Sequence, residues 1–210
     1  MIQNRRVQRI AFVVLTALFA SGILPSLAFA HHDMDGETPE TLYQGLMSGL
    51  AHPVIGLDHM AMILLVGAYA AALRLGLLPI ATFVGAGIVG CLAHLAKFDL
   101  PQAETSLAVS LVLAGLVASA ALRASSLVTA LVLATTGLLH GYAYGESMVG
   151  AEQGPILAYL LGLLVVQAGL ASLVWLLVTK TQNAGNARTP LAFTRALGAA
   201  SVLVGVLALT

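Results

Sequence analysis

The chain is expected to fold as an all-α, polytopic transmembrane helix bundle of about six helices behind a cleaved signal peptide. Three observations lead there. Of 210 residues, 59% are hydrophobic and 9% charged, whereas a soluble domain carries about a quarter charged residues. Mean hydropathy is +0.96. Apolar runs recur at lengths close to the ~20 residues that span a hydrocarbon core. Nine basic and nine acidic side chains balance to zero, and with no basic patch nucleic acid is excluded as a partner. The single Cys91 excludes an intrachain disulfide, and the 21 glycines suit helices that pack closely inside a bilayer.

Residues 1–30 read as a secretory signal. Arg5, Arg6 and Arg9 form a basic start, residues 10–20 an apolar run, and Ala28-Phe29-Ala30 a small-residue cleavage site. An uncleaved first helix is the alternative; Pro25 and the short apolar run favour cleavage. The membrane domain is then 31–210, opening with a tail over 31–40. His31, His32, Asp33, Asp35 and Glu37 crowd that tail. With a free amine on His31 they make a chelator for a divalent cation; a solvated acidic tail is the other reading.

Residues 41–51 are too short to span and suit an amphipathic or half-embedded helix with Gly45 and Gly49 as a small face. Six apolar runs follow, at about 53–73, 77–96, 103–122, 125–145, 154–179 and 191–209. With the chain entering from outside, Arg74, Arg123, Lys180, Arg188 and Arg195 fall on the inner side and only Lys97 on the outer. That obeys the positive-inside rule and puts both ends outside. Most acids, including Asp99, Glu104, Glu146 and Glu152, gather on the outer side, where they raise the local cation concentration. No nucleotide-binding loop is present.

The stretch His52-Pro53-Val54-Ile55-Gly56-Leu57-Asp58-His59-Met60-Ala61-Met62 puts two imidazoles, a carboxylate and two thioethers into an apolar run. Ionisable groups inside a membrane are expensive and usually functional. Pro53 suits the first turn of a helix, and Gly56 permits the local irregularity that would let the neighbours Asp58 and His59 line one cavity. Met60 and Met62 read first as packing or lipid-facing side chains, with Met62 also a candidate ligand. With the expected topology all six histidines fall on one side. His94 closes the second run beside Lys97, as a ligand or as an interfacial residue. His140 lies about four residues inside its helix end, facing protein or a hydrated cavity, with Glu146 on or just beyond the rim. Gly141 and Gly145 admit a close neighbour helix, and Tyr142 and Tyr144 suit an aromatic belt. Imidazoles with carboxylates fit borderline ions such as nickel, cobalt or zinc.

His52-Pro53-x-x-Gly56-x-Asp58-His59 followed by Val66-Gly67, with His140-Gly141-x-x-x-Gly145-Glu146 later, resembles the two motifs of the HupE/UreJ family. The resemblance covers nearly the whole mature chain. It implies a bacterial inner-membrane accessory protein of hydrogenase or urease, taking up nickel or cobalt from the periplasm as substrate with no fixed cofactor. It carries over His52, Asp58, His59, His140 and Glu146 as metal residues, and metalloenzyme maturation proteins as partners. Many members have histidines where this chain has Tyr142 and Tyr144, so two ligands are absent here. A facilitating permease is the leading expectation. A membrane protein that stores or hands over metal without transporting it is the alternative. An intramembrane enzyme is disfavoured: there is no HExxH helix, and the histidines are too few for a two-metal oxidase.

Overall fold

The computed structural model describes residues 38–185 and 188–210. The signal segment and the tail histidines His31 and His32 lie outside the described residues. Among the described residues every regular element is helical: α1 Leu42–Ile55, α2 Leu57–Ala72, α3 Leu78–Leu95, α4 Ala103–Ser119, α5 Ser126–Gly145 with a 3-10 turn over Glu146–Met148, α6 Gln153–Asn183 and α7 Arg188–Leu207.

The first apolar run departs from expectation. Pro53 does not open a helix; it lies inside α1, and the helix that carries Asp58 and His59 starts at Leu57. The short 41–51 segment and the start of the run are one helix. Its beginning is fixed by a capping box: Thr41 Oγ1 accepts from the Gln44 N–H at 3.1 Å, and Gln44 Oε1 accepts from the Thr41 N–H at 3.0 Å. Its end is fixed by Pro53, which has no N–H to give, and by Gly56, which is extended at φ −69° and ψ 110°. α1 and α2 consequently meet at 79°.

α3, α5, α6 and α7 are each long and apolar enough to cross a membrane, and the bent α1–α2 pair passes as a fifth span. α4, expected to span as 103–122, has 17 residues, fewer than α3, α5, α6 or α7. The outward faces carry Leu113, Leu131, Leu157, Leu161 and Leu203, all exposed. Such a belt suits lipid and not water, and the chain is a multi-pass membrane protein.

α2 is apolar around its whole circumference, and from His59 to Ala71 every residue is buried, as expected of a helix enclosed by others. α1 and α2 run along α6, Gly45 and Gly49 meeting the Pro155 and Tyr159 backbone and Gly67 meeting Ala171. α4 lies antiparallel to α7, with Gly115 on Gly198 and Ala108 on Gly205. α3 and α5 are parallel and touch backbone to backbone. A Cβ on Gly141 would fall 1.9 Å from Gly87 O, so only glycine permits the approach. The close neighbour expected for the Gly141 and Gly145 face is therefore α3.

Three helices end on a left-handed non-glycine residue: Arg74, Lys97 and Ala121, at φ 57°, 61° and 50°. The following N–H reaches back across the last turn, as Leu122 N does to Val117 O at 3.1 Å.

Two outcomes are expected. Gly141→Val should force α3 and α5 apart and cost about 1–3 kcal/mol, read as a lowered midpoint of thermal unfolding in detergent. Ala121→Gly should relieve the left-handed strain and raise stability by about 0.5–1 kcal/mol in the same assay.

Candidate functional site

The break between α1 and α2 is where the polar residues meet. α1 delivers His52 in its last turn, and α2 delivers Asp58 and His59 in its first. Gly56 shapes the join: a Cβ there would fall 2.7 Å from His59 Cδ2 and 3.2 Å from Asp58 Oδ1. Without one, the His59 ring folds back over the helix start.

Across the bundle α5 supplies His140. Its Nδ1 lies 3.1 Å from His59 Nδ1, and the rings meet edge to face with centroids 5.2 Å apart. Both residues are buried, His59 at 5% exposure and His140 at 1%. The separation fits a hydrogen bond between neutral rings. It also fits two nitrogens on one ion, which at bond lengths of about 2.0–2.1 Å and angles of about 90–109° stand roughly 2.9–3.4 Å apart. His140 Nε2 is buried with no hydrogen-bond partner among the described residues.

His52 stands beside the pair, its ring centroid 5.7 Å from that of His59. Its Nδ1 lies 3.0 Å from the Tyr159 hydroxyl, which donates to Tyr144 O at 2.8 Å. Ser147 Oγ donates to the same hydroxyl at 3.1 Å. Tyr159 thus holds the His52 ring by its Nδ1, the kind of contact that outer-shell groups make with metal-binding histidines.

Asp58 Oδ1 accepts from the His59 N–H at 2.8 Å. Its charge also offsets the positive end of the α2 dipole, which would otherwise repel a cation arriving at this break. The C-terminal end of α1, with its partial negative charge, points into the same region.

Of the other expected residues, His94 joins a different place. Its ring packs on Tyr142 at 4.4 Å, and it lines a cavity of about 440 Å³ together with Lys97, Asp99 and Met148. Glu146 is exposed at the end of α5. Met62 is 1% exposed within the apolar core around α2. Among the described residues no three His, Cys, Asp or Glu side chains form a group that could hold a metal ion; the His59–His140 pair is what the fold preassembles.

Tyr142 and Tyr144 are not belt aromatics; both are buried. The Tyr142 hydroxyl donates to Phe98 O and accepts from the Leu100 N–H, which pins the loop between α3 and α4. Tyr144 lies over His59 with centroids 4.2 Å apart, its hydroxyl buried and unpartnered among the described residues. Sequence reasoning missed Tyr159 and Gln167. Tyr159 carries no local sign of its role. Gln167 does: it is an isolated amide in the middle of a long apolar helix.

The HupE / UreJ protein family matches residues 15–208. The chain belongs to the HupE/UreJ family. It is 28% identical over 170 residues to Protein HupE of Rhizobium leguminosarum bv. viciae, covering 76% of this chain and 83% of that protein. No solved structure matches it. Within this HupE/UreJ member, His52, Asp58 and His59 of the first motif and His140 of the second meet at one buried locus.

Tyr159→Phe removes a hydroxyl that His52 Nδ1, Tyr144 O and Ser147 Oγ share, and should cost about 1–3 kcal/mol, read as a lowered midpoint of thermal unfolding in detergent.

Proposed function

We propose that the protein is a permease that takes up a divalent transition-metal ion from the periplasm, nickel first and cobalt next. The observation that carries this reading is the His59–His140 nitrogen pair, 3.1 Å apart and buried where a membrane helix is broken. Broken helices whose ends face an ion are a recurring device of transporters. Imidazole nitrogens suit nickel and cobalt.

In this reading the protein lies in the inner membrane of a bacterium, with the mature N-terminus and the C-terminus in the periplasm. The signal peptide is removed, and the acidic rim with Glu146 concentrates cations. His31 and His32 capture the ion, His94 and Asp99 lie on its approach, and His52, Asp58, His59 and His140 replace its water. The ion is the substrate; no resident cofactor and no catalysis are assigned. Metalloenzyme maturation proteins of hydrogenase or urease receive the metal inside. The membrane potential favours inward movement of a divalent ion by about 4.6 kcal/mol per 100 mV, enough for a facilitator.

One observation favours a second reading. Beyond the pair, α2 is sealed in an apolar cluster that includes Ile63, Leu65, Val66, Leu111 and Val174. A protein that binds metal and hands it over without transport would need no route through that core. Sealed vesicles decide between the two: metal binding in detergent with no flux selects the accessory protein.

Asp58→Asn or His59→Ala is expected to abolish radiolabelled nickel uptake by vesicles at unchanged protein level. Wild-type uptake in both variants would sink the permease. Protons compete with the ion for the same imidazole lone pairs. Binding should therefore weaken on acidification and recover on return to neutral pH, measured by equilibrium dialysis of the detergent-purified protein.

A further inference from the structure

Gln167 lies at the middle of α6, fourteen residues after Gln153 and sixteen before Asn183. It is 1% exposed, and neither its Nε2 nor its Oε1 has a hydrogen-bond partner among the described residues. Other buried polar side chains behave differently. Ser110, Thr136, Thr194 and Ser201 each donate to a carbonyl one turn back in their own helix, such as Leu197 O for Ser201 at 2.9 Å. A glutamine amide cannot be silenced that way, and an unpaired amide in an apolar bundle is costly.

Its position is specific. Gln167 Oε1 lies 3.9 Å from the point where a Cβ on Gly87 would sit, and Gly137 O lies 3.5 Å from the same point. Gly137 is one turn before His140 on α5. On α6, Tyr159 is two turns before Gln167 and donates to Tyr144 O, one turn after His140. The two registers agree. Passing inward from the helix ends, the order is Tyr144 hydroxyl, His140 Nε2, Gln167 amide, and all three are buried and unpartnered among the described residues.

We infer that the Gln167 carboxamide oxygen is the ion's next ligand beyond the His59–His140 pair, an inner station toward the apolar core. The inference rests on the metal-permease reading and extends it by one residue. A neutral carbonyl oxygen suits nickel or cobalt less well than imidazole does. Ions pass through a pore when successive sites bind well enough to admit them and weakly enough to release them. A weaker oxygen station after a nitrogen pair has that property.

The test uses the full-length protein, both in detergent for equilibrium Ni²⁺ binding and in sealed vesicles for radiolabelled Ni²⁺ influx. Gln167→Leu and Gln167→Met remove the amide while keeping bulk; monodisperse elution shows which variants fold. Gln167→Glu keeps the oxygen and adds charge. In a conducting wild type, the expected result is influx lowered about tenfold in the apolar variants with binding retained within about twofold, and binding tightened about tenfold by Gln167→Glu. Wild-type influx in a folded apolar variant overturns the inference, because the amide then holds only water. So does lowered influx without tightening by Gln167→Glu, which makes the residue a packing element. Should the wild type bind Ni²⁺ without conducting it, the transport reading fails on its own. Gln167 is then judged by Gln167→Glu: tightened binding supports it as a ligand, and unchanged binding overturns it. A wild type that neither binds nor conducts overturns both.

Discussion

The interruption of a membrane helix at Gly56 is the constraint on which the rest of the site depends. A continuous helix through residues 42–72 would carry its backbone polar groups past the interior fully satisfied, and nothing would be left to interact. Pro53 and Gly56 end that continuity inside the bundle. The break brings a helix C-terminus and a helix N-terminus together, with opposite partial charges. A cation is welcome at the first and repelled at the second. Asp58, in the first turn of α2, reverses the unfavourable end and takes the His59 N–H as well. The carboxylate thus completes the electrostatics that the break creates.

Close glycine packing decides what the break faces. Because α3 and α5 touch through Gly87 and Gly141, no side chain separates them beside His140. α5 is held rigidly enough to present one imidazole to His59 across the bundle. On the other side, α1 lies against α6, and the Tyr159 hydroxyl reaches His52. The three imidazoles come from three helices, each fixed by a backbone contact. Tyr144, lying over His59, fills the space between them with an aromatic face and one hydroxyl. On the proposed metal reading, its presence in place of a further imidazole leaves the site fewer nitrogens, and Asp58 and the Gln167 amide are the oxygen donors assigned to it.

The apolar enclosure of α2 beyond the pair sets the remaining physical problem. Residues from Met60 to Ala71 pack on every side, and close-packed interiors switch between discrete arrangements instead of deforming continuously. Passage of an ion would require the α2 packing to open as a unit. The break at Gly56 lies at the head of that helix, and Leu57 to Ala72 holds no further proline.

Much of this was legible in the sequence. Composition and run length determined an all-helical membrane bundle, because a chain with so few charges cannot cover a water-facing surface. Five of the six apolar runs became helices within a few residues of their expected limits. His52, Asp58, His59 and His140 stood out because ionisable groups are rare in apolar runs, and Gly141 announced a close helix neighbour. Only the tertiary structure decided the rest. Pro53 reads as well at the start of a helix as at its end, and the capping box at Thr41, by launching a helix upstream, settled which. The pairing of His59 with His140, eighty-one residues apart, depends on how helices cross. So does the separation of His94 into another cavity. Tyr159 is an ordinary residue locally, and Gln167 shows only as a lone amide in an apolar run; burial, and what lies opposite them, gives them meaning. The opening motif alone was a polar cluster in an apolar run. In the fold it is two helix ends meeting at a break, with its partner imidazole already in place.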